Sequence, residues 1–183
     1  MITVDLYKKK LFSNLGDVFS KNELHSIWYN WVVREILAIS LEDYYTSNFH
    51  IEKSHIIKIN NLIYYLSQNK PIQYFFGFSY FRNEKYIVDH SVLIPRPETE
   101  ELVNLILRYI NKNNNYTILD VGTGSGCIAI SVDKLNNTRT FAVDNCQLVL
   151  SVARKNNFLH ETNVNFQLLD IIKNFNINFH EKM

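Results

Sequence analysis

The stretch Asp120-Val-Gly-Thr-Gly-Ser-Gly126 holds the residue types and spacing in this chain best suited to chemistry. An apolar run, "YTILDV" from Tyr116 to Val121, leads into glycines at alternate positions, Gly122, Gly124 and Gly126, and a second apolar run begins at Cys127. Three of the chain's five glycines stand in this one loop, so their placement is informative. Glycine accepts positive φ and lets a ligand approach the backbone closely. Two further carboxylates end predicted strands: Asp144, twenty residues after Gly124, and Asp170.

Three ligand classes compete for such a loop. A phosphate-cradling P-loop needs Lys followed by Ser or Thr after its last glycine, and Cys127 and Ile128 stand there instead. The dinucleotide fingerprint is G-x-G-x-x-G, whereas the spacing here is G-x-G-x-G. An acidic residue, one spacer and then G-x-G-x-G suits S-adenosyl-L-methionine, which carries an ammonium and no pyrophosphate. Asp120 is placed to face that ammonium, directly or through water, and would repel a pyrophosphate. Asp144 can accept hydrogen bonds from both ribose hydroxyls, and Asp170 can reach the adenine amino group, because such folds bind ligands at the carboxyl ends of their strands. Taken alone, Asp120 fits a helix cap or a surface charge equally well; its spacing with the glycines and Asp144 carries the reading. A nicotinamide dinucleotide is the alternative cofactor.

The elements that must position these residues are legible in the pattern. From Tyr116 onward strands alternate with helices: "YTILDV", then helix "GCIAISVDKL", strand "TRTFAVD", helix "CQLVLSVARKNNFL" and strand "VNFQLLD". That alternation implies a parallel sheet with right-handed crossovers, the first half of a doubly wound α/β domain. Upstream, Ser20 and Glu23 have capping-box spacing before an apolar stripe of Leu24, Ile27, Trp28, Trp31 and Val32. Ile56, Ile59, Ile63 and Leu66 form a second stripe, and both read as packed core. Pro71 ends this helical region. "FGFSYF" and "YIVDHSVLI", separated by "RNEK", predict a β-hairpin. Pro97 then suits the first turn of a helix, Glu98, Glu100 and Glu101 favour its positive end, and Leu102, Leu105, Ile106 and Tyr109 are its expected buried side. "NKNNN" reads as a solvated link.

Composition bounds the function. The 183 residues carry 19 basic and 18 acidic side chains, a net charge of +1, and 46% hydrophobic residues. That is globular composition, without the positive field that holds nucleic acid nonspecifically. Cys127 and Cys146 have no zinc-type spacing with each other or with histidine, so two buried thiols and no metal are expected. The N-terminus lacks a signal-peptide core, and no apolar run approaches the ~18 residues of a membrane span, so a cytoplasmic location is expected.

Four stretches, "PIQYFFGFSYF", "VLIPRPETEELV", "ILDVGTGSGCIAI" and "VARKN", together resemble the peptide chain release factor N5-glutamine methyltransferases, the HemK/PrmC family, from about Asn22 to the last residue. The resemblance implies an N-terminal helical substrate-recognition domain over residues 1–76, a β-hairpin linker over 77–94, and a partial class I (Rossmann-like) methyltransferase domain over 95–183. It implies methyl transfer from S-adenosyl-L-methionine to the side-chain amide of the Gln in the Gly-Gly-Gln motif of release factors, with the release factor as partner. Asp120, Gly122, Thr123, Gly124, Ser125, Gly126, Asp144 and Asp170 would bind the cofactor, and Ile171 would pack on the adenine. Arg96 either closes the cofactor or peptide site or anchors the hairpin. The related ribosomal-protein glutamine methyltransferases usually read Pro-Arg-Ser-Pro where this chain has Pro95-Arg-Pro-Glu98, which favours the release factor.

Two departures stand out. Relatives often open the helix after the ribose aspartate with Ser-Pro, whereas Cys146 and Gln147 are weaker caps, which leaves that helix's start open. More consequentially, the family's amide-gripping Asn-Pro-Pro-Tyr is absent: the only prolines are Pro71, Pro95 and Pro97, and the sequence ends at "NFNINFHEKM", where the fourth strand should begin. An amide nitrogen is a poor nucleophile and needs such acceptors to hold it in line. The expectation is therefore a first strand left as a sheet edge beside an uncovered apolar flank. It extends to poor solubility or reliance on a partner covering that strand, and to no independent methyl transfer. A non-catalytic release-factor-binding fragment and a nucleic-acid methyltransferase are the other classes considered, and the neutral charge does not encourage the latter.

Overall fold

A computed structural model describes residues 4–46, 49, 51–110, 115–134 and 138–173. The chain divides into two compact units, Met1–Phe75 and Phe76–Met183. Residues 111–114 of the predicted link 111–115 and the anticipated fourth-strand segment at 174–183 lie outside the described residues.

The first unit is helical: α1 (Val4–Leu15), α2 (Lys21–Ser26), a π-helical segment (Ile27–Ile36), α3 (Leu41–Thr46) and α4 (Lys53–Leu66). Both halves of the capping box at Ser20 and Glu23 form, with the Glu23 amide donating to Ser20 Oγ and the Ser20 amide to the Glu23 carboxylate. Beyond Ser26 the helix widens, and the Leu37 amide reaches back five residues to the Val32 carbonyl at 2.8 Å. This changes which residues face inward. Val33 and Ile36 join Ile27, Trp28 and Val32 in the core, while Trp31, expected there from a 3.6-residue period, is only half-buried. Ile59, Leu62, Ile63 and Leu66 of α4 are buried, and Ile56 is half-buried. The Trp28 indole N–H, otherwise stranded in this core, donates to the Tyr44 hydroxyl at 3.2 Å.

After Pro71 comes a short helix, α5 (Ile72–Phe76), and then the hairpin β1 (Phe78–Phe81) and β2 (Glu84–Ile87). The hairpin turns on Arg82 and Asn83, both at positive φ (52° and 63°), the conformation whose twist matches paired antiparallel strands. The second strand is shorter than "YIVDHSVLI" predicts: it ends at Ile87, because the Asp89 carboxylate accepts the Ser91 amide at 2.8 Å and turns the chain. Val88, Val92 and Ile94 are buried all the same. The segment anticipated as a linker places Phe81 and Tyr86 within the core of the second unit.

That unit continues with α6 (Pro97–Tyr109), β3 (Tyr116–Val121), α7 (Cys127–Asp133), β4 (Thr138–Asp144), α8 (Gln147–Leu159) and β5 (Asn165–Leu168). The three later strands form a parallel sheet in the order β3-β4-β5, with Asp120 opposite Ala142 and Asp144 opposite Leu168. Among the described residues β3 is an edge strand. The expected buried side of α6 is corrected: Leu102, Leu105 and Tyr109 are 46%, 47% and 76% exposed, Ile106 is half-buried, and Val103 and Leu107 enter the core instead. Both faces of α6 are apolar, so periodicity alone could not choose between them.

α8 covers the outer edge of the hairpin. Asn156 and His160, one helical turn apart, meet the backbone of Ile87 and Lys85, two strand residues apart. A rise of about 6 Å per four helical residues matches about 6.6 Å per two strand residues. His160 Nε2 donates to the Lys85 carbonyl at 3.0 Å, its ring stacks on Tyr86, and Lys134 Nζ lies 3.1 Å from Nδ1. Burial, with Lys134 beside it, holds the imidazole pKa below its ordinary 6.5, consistent with the neutral ring these bonds require. Phe81→Ala should therefore lower the stability of the second unit by about 3–5 kcal/mol, read as a fall in urea midpoint at unchanged slope.

Candidate cofactor site

The pairing of β3 with β4 brings Asp120 and Asp144 to the same end of two neighbouring strands. The loop between β3 and α7 is held from the β4 side. The Gly122 and Thr123 amides both donate to the Val143 carbonyl, at 2.9 and 3.1 Å, and the Gly124 amide donates to Asp144 Oδ2 at 3.3 Å. The Gly126 amide closes the turn on the Thr123 carbonyl at 2.9 Å. Gly122, Gly124 and Gly126 all have positive φ, of 74°, 57° and 82°.

The glycines have different surroundings. A Cβ at Gly122 or Gly124 would meet nothing within 4 Å, so the backbone there is open to a ligand. A Cβ at Gly126 would stand 3.1 Å from Ile130 and 3.3 Å from Ala153, so this glycine lets the loop pack against α7 and α8.

Asp120 is half-buried behind the loop and accepts the Thr123 hydroxyl at 2.8 Å. Burial pushes its carboxyl above the ordinary 3.8, against the hydrogen bonds from Thr123 and the Ala129 amide, and Asp144 adds to the rise. A half-buried carboxylate of this kind suits a cationic ligand. Asp144 spends one oxygen on Gly124 and the other on the Cys146 amide at 3.1 Å, and each oxygen keeps a lone pair for a further donor. The Cys146 bond sets the start of α8 at Gln147 without help from the Cys146 side chain.

The structure thus brings Asp120, Gly122–Gly126 and Asp144 together. Thr123 and Ser125 are 5% and 2% exposed, so a ligand would meet their backbone rather than their hydroxyls. Asp170 and Ile171 lie beyond the end of β5, next to the Leu169 amide, which donates to the Asp144 carbonyl at 2.9 Å. There Asp170 Oδ1 accepts the Ile172 amide of its own turn at 3.1 Å. Arg96 is exposed at the N-cap of α6. Cys127 is buried, which pushes its thiol up to about 11, while Cys146 is half-buried. Among the described residues no cluster of His, Cys, Asp and Glu could hold a metal ion, and no helix is long and apolar enough to cross a membrane. Sequence reasoning assigned no role to Asn156, whose signal was present only as the last residue of "VARKN".

The family model for ribosomal protein L11 methyltransferase (PrmA) matches residues 97–180. Over 177 residues, 94% of this chain, the sequence is 33% identical to the release factor glutamine methyltransferase of Flavobacterium psychrophilum. It is 44% identical over 115 residues, 62% of this chain, to the enzyme of the same name from Bacteroides thetaiotaomicron. The chain is similar to these release factor glutamine methyltransferases over most of its own length. It spans 62% of the length of the first of these methyltransferases and 41% of the second. Among solved structures, it is similar to the Pyrococcus abyssi tRNA (uracil-54, C5)-methyltransferase in complex with S-adenosyl-L-homocysteine, at 16% identity and a TM-score of 0.42, over 51% of this chain and 24% of that one.

Asp120→Asn tests whether this carboxylate is kept for a ligand. The folded pKa is raised, so the carboxyl's contribution to stability is complete below 3.8 and is lost as pH rises through the folded value. The amide isostere should raise the melting temperature at pH 7, and that gain should vanish below pH 3.8. Unchanged or lowered thermal stability at pH 7 would contradict the electrostatic reading.

Proposed function

We propose that the Asp120–Gly126 loop and Asp144 bind S-adenosyl-L-methionine, and that the family's chemistry is methyl transfer from it to the side-chain amide of the Gln in the Gly-Gly-Gln motif of release factors, in the cytoplasm where those factors act. One observation carries the cofactor reading: a loop open at Gly122 and Gly124 lies between a half-buried carboxylate on one side and a strand-end carboxylate with free lone pairs on the other. Two anions at one site disfavour a pyrophosphate and favour an ammonium with a ribose.

Bound there, the cofactor would supply an electrophilic methyl group on its sulfonium. The chain's own residues bind and orient. Asp120 faces the ammonium, and Asp144 takes the ribose hydroxyls. Asp170 and Ile171, held beside Asp144 by the Leu169 bond, are assigned to the adenine. Arg96 is assigned to the acceptor side. The amide-gripping Asn-Pro-Pro-Tyr of the family is not among these 183 residues. We therefore assign cofactor binding to this chain and methyl transfer to the longer proteins it resembles. The match of the ribosomal protein family model over residues 97–180 favours a ribosomal protein as the second acceptor class.

Titration calorimetry with S-adenosyl-L-methionine, S-adenosyl-L-homocysteine and NADH tests the cofactor. Uptake of both adenosyl compounds and none of NADH is expected, and preference for NADH would overturn it. Asp120→Asn should weaken S-adenosyl-L-methionine binding by about ten- to a hundredfold, the worth of one charge-assisted hydrogen bond, while stabilising the free protein. Affinity in the parent chain should fall as pH drops toward the raised pKa of Asp120, since protonation removes the ammonium's partner, and should be flat in the variant. Incubation with tritiated cofactor and either a release factor or a ribosomal protein should give no transfer by this chain alone. Labelling of one acceptor at ordinary enzyme rates would place the whole activity here and name the acceptor.

A further inference from the structure

Asn156 is fully buried on α8, and its planar amide serves two partners at once. Its Nδ2 donates to the Ser125 carbonyl at 2.9 Å and to the Ile87 carbonyl at 2.9 Å, while Oδ1 accepts the Ile87 amide at 2.7 Å. The two N–H groups are thereby divided between the glycine loop and the hairpin edge.

In the Ser125–Gly126 peptide Gly126 supplies the nitrogen, and Gly124 precedes Ser125; both glycines are at positive φ, where glycine has no strong backbone preference of its own. Thr123 holds the peptide's N–H side through the Gly126 amide, and Asn156 holds its carbonyl side. The hairpin, by contrast, has other ties: His160 takes the Lys85 carbonyl, and the Tyr86 hydroxyl shares a hydrogen bond of 3.2 Å with Ser131. Docking of the hairpin does not require the Ser125 bond, whereas the orientation of the loop peptide does.

We propose that Asn156 is the positioning residue of the cofactor loop, holding the Ser125–Gly126 peptide plane in one orientation and coupling that orientation to the β2 edge of the hairpin. This rests on the reading that the loop receives S-adenosyl-L-methionine. Ala153, one turn earlier on α8, lies against Gly126, so the same helix face sets both the distance and the orientation of the loop.

The test uses the whole chain with S-adenosyl-L-homocysteine as probe, and hydrogen exchange of the unliganded protein as a second readout. Asn156→Asp keeps the acceptor for the Ile87 amide and removes both donors. It should weaken binding by about tenfold or more and speed exchange of the Gly124–Gly126 amides by a similar factor, leaving the Val88 amide protected. Asn156→Ser, shorter and uncharged, should do the same. Tyr86→Phe removes a hairpin tie that does not touch the loop, and should lower the melting temperature while leaving affinity within about twofold. The proposal is overturned if the Asn156 variants lose no more affinity than Tyr86→Phe, if loop exchange is unchanged, or if both Asn156 variants fail to fold. If the parent chain takes up no S-adenosyl-L-homocysteine, the cofactor reading fails on its own, and the exchange of the loop amides still decides the role of Asn156.

Discussion

At the carboxyl end of β4, one carbonyl and one side chain take up the amides of three successive loop residues: Val143 receives Gly122 and Thr123, and Asp144 receives Gly124. A loop of alternate glycines has little conformational preference of its own and would be costly to order without these acceptors. They are available because β3 and β4 pair in parallel with Val121 beside Val143. A shift of one residue in that register would offer the loop different acceptors and move Asp120 relative to Asp144.

The same arrangement explains why the carboxylates tolerate their position. Asp144 is satisfied by amides, while Asp120 has hydrogen bonds but is half-buried, and its pKa rises. An anion kept against the preference of its own fold comes at some expense in stability. Around it the second unit is built to fix the loop. α7 and α8 close on Gly126, and α8 reaches the outer edge of the hairpin through Asn156 and His160. That edge would otherwise present unpaired backbone groups.

Much of this was legible in the sequence. "YTILDV" and "TRTFAVD" are strands at the bounds their patterns indicate, and the capping box at Ser20 forms as its spacing predicts. These succeed because short-range rules govern them: β-branched runs bounded by turn residues, and a side chain reaching an amide three residues away. The misreadings fall where two local choices were close in energy. Trp31 lost its inward place when the helix widened, Leu102 and Leu105 lost theirs to Val103 and Leu107, and Asp89 ended a strand that its apolar neighbours favoured. The site was legible as a list, Asp120, the glycines and Asp144, and not as an arrangement. Nothing in the residue types says that the Thr123 and Ser125 side chains turn inward, or that Gly126 is packed while Gly122 and Gly124 are open.

By itself the sequence determined the order of strands and helices and the loop's need for glycine, since each follows from residue types at fixed short separations. Tertiary structure alone decided which face of α6 is buried, which acceptors hold the loop, and that the buried Asn156 on α8 ties loop to hairpin. Those outcomes depend on contacts between residues 20 to 69 positions apart, from Gly124 with Asp144 to Asn156 with Ile87. Packing and hydrogen-bond satisfaction at that range are set by the whole fold, and they leave no periodic trace in the chain.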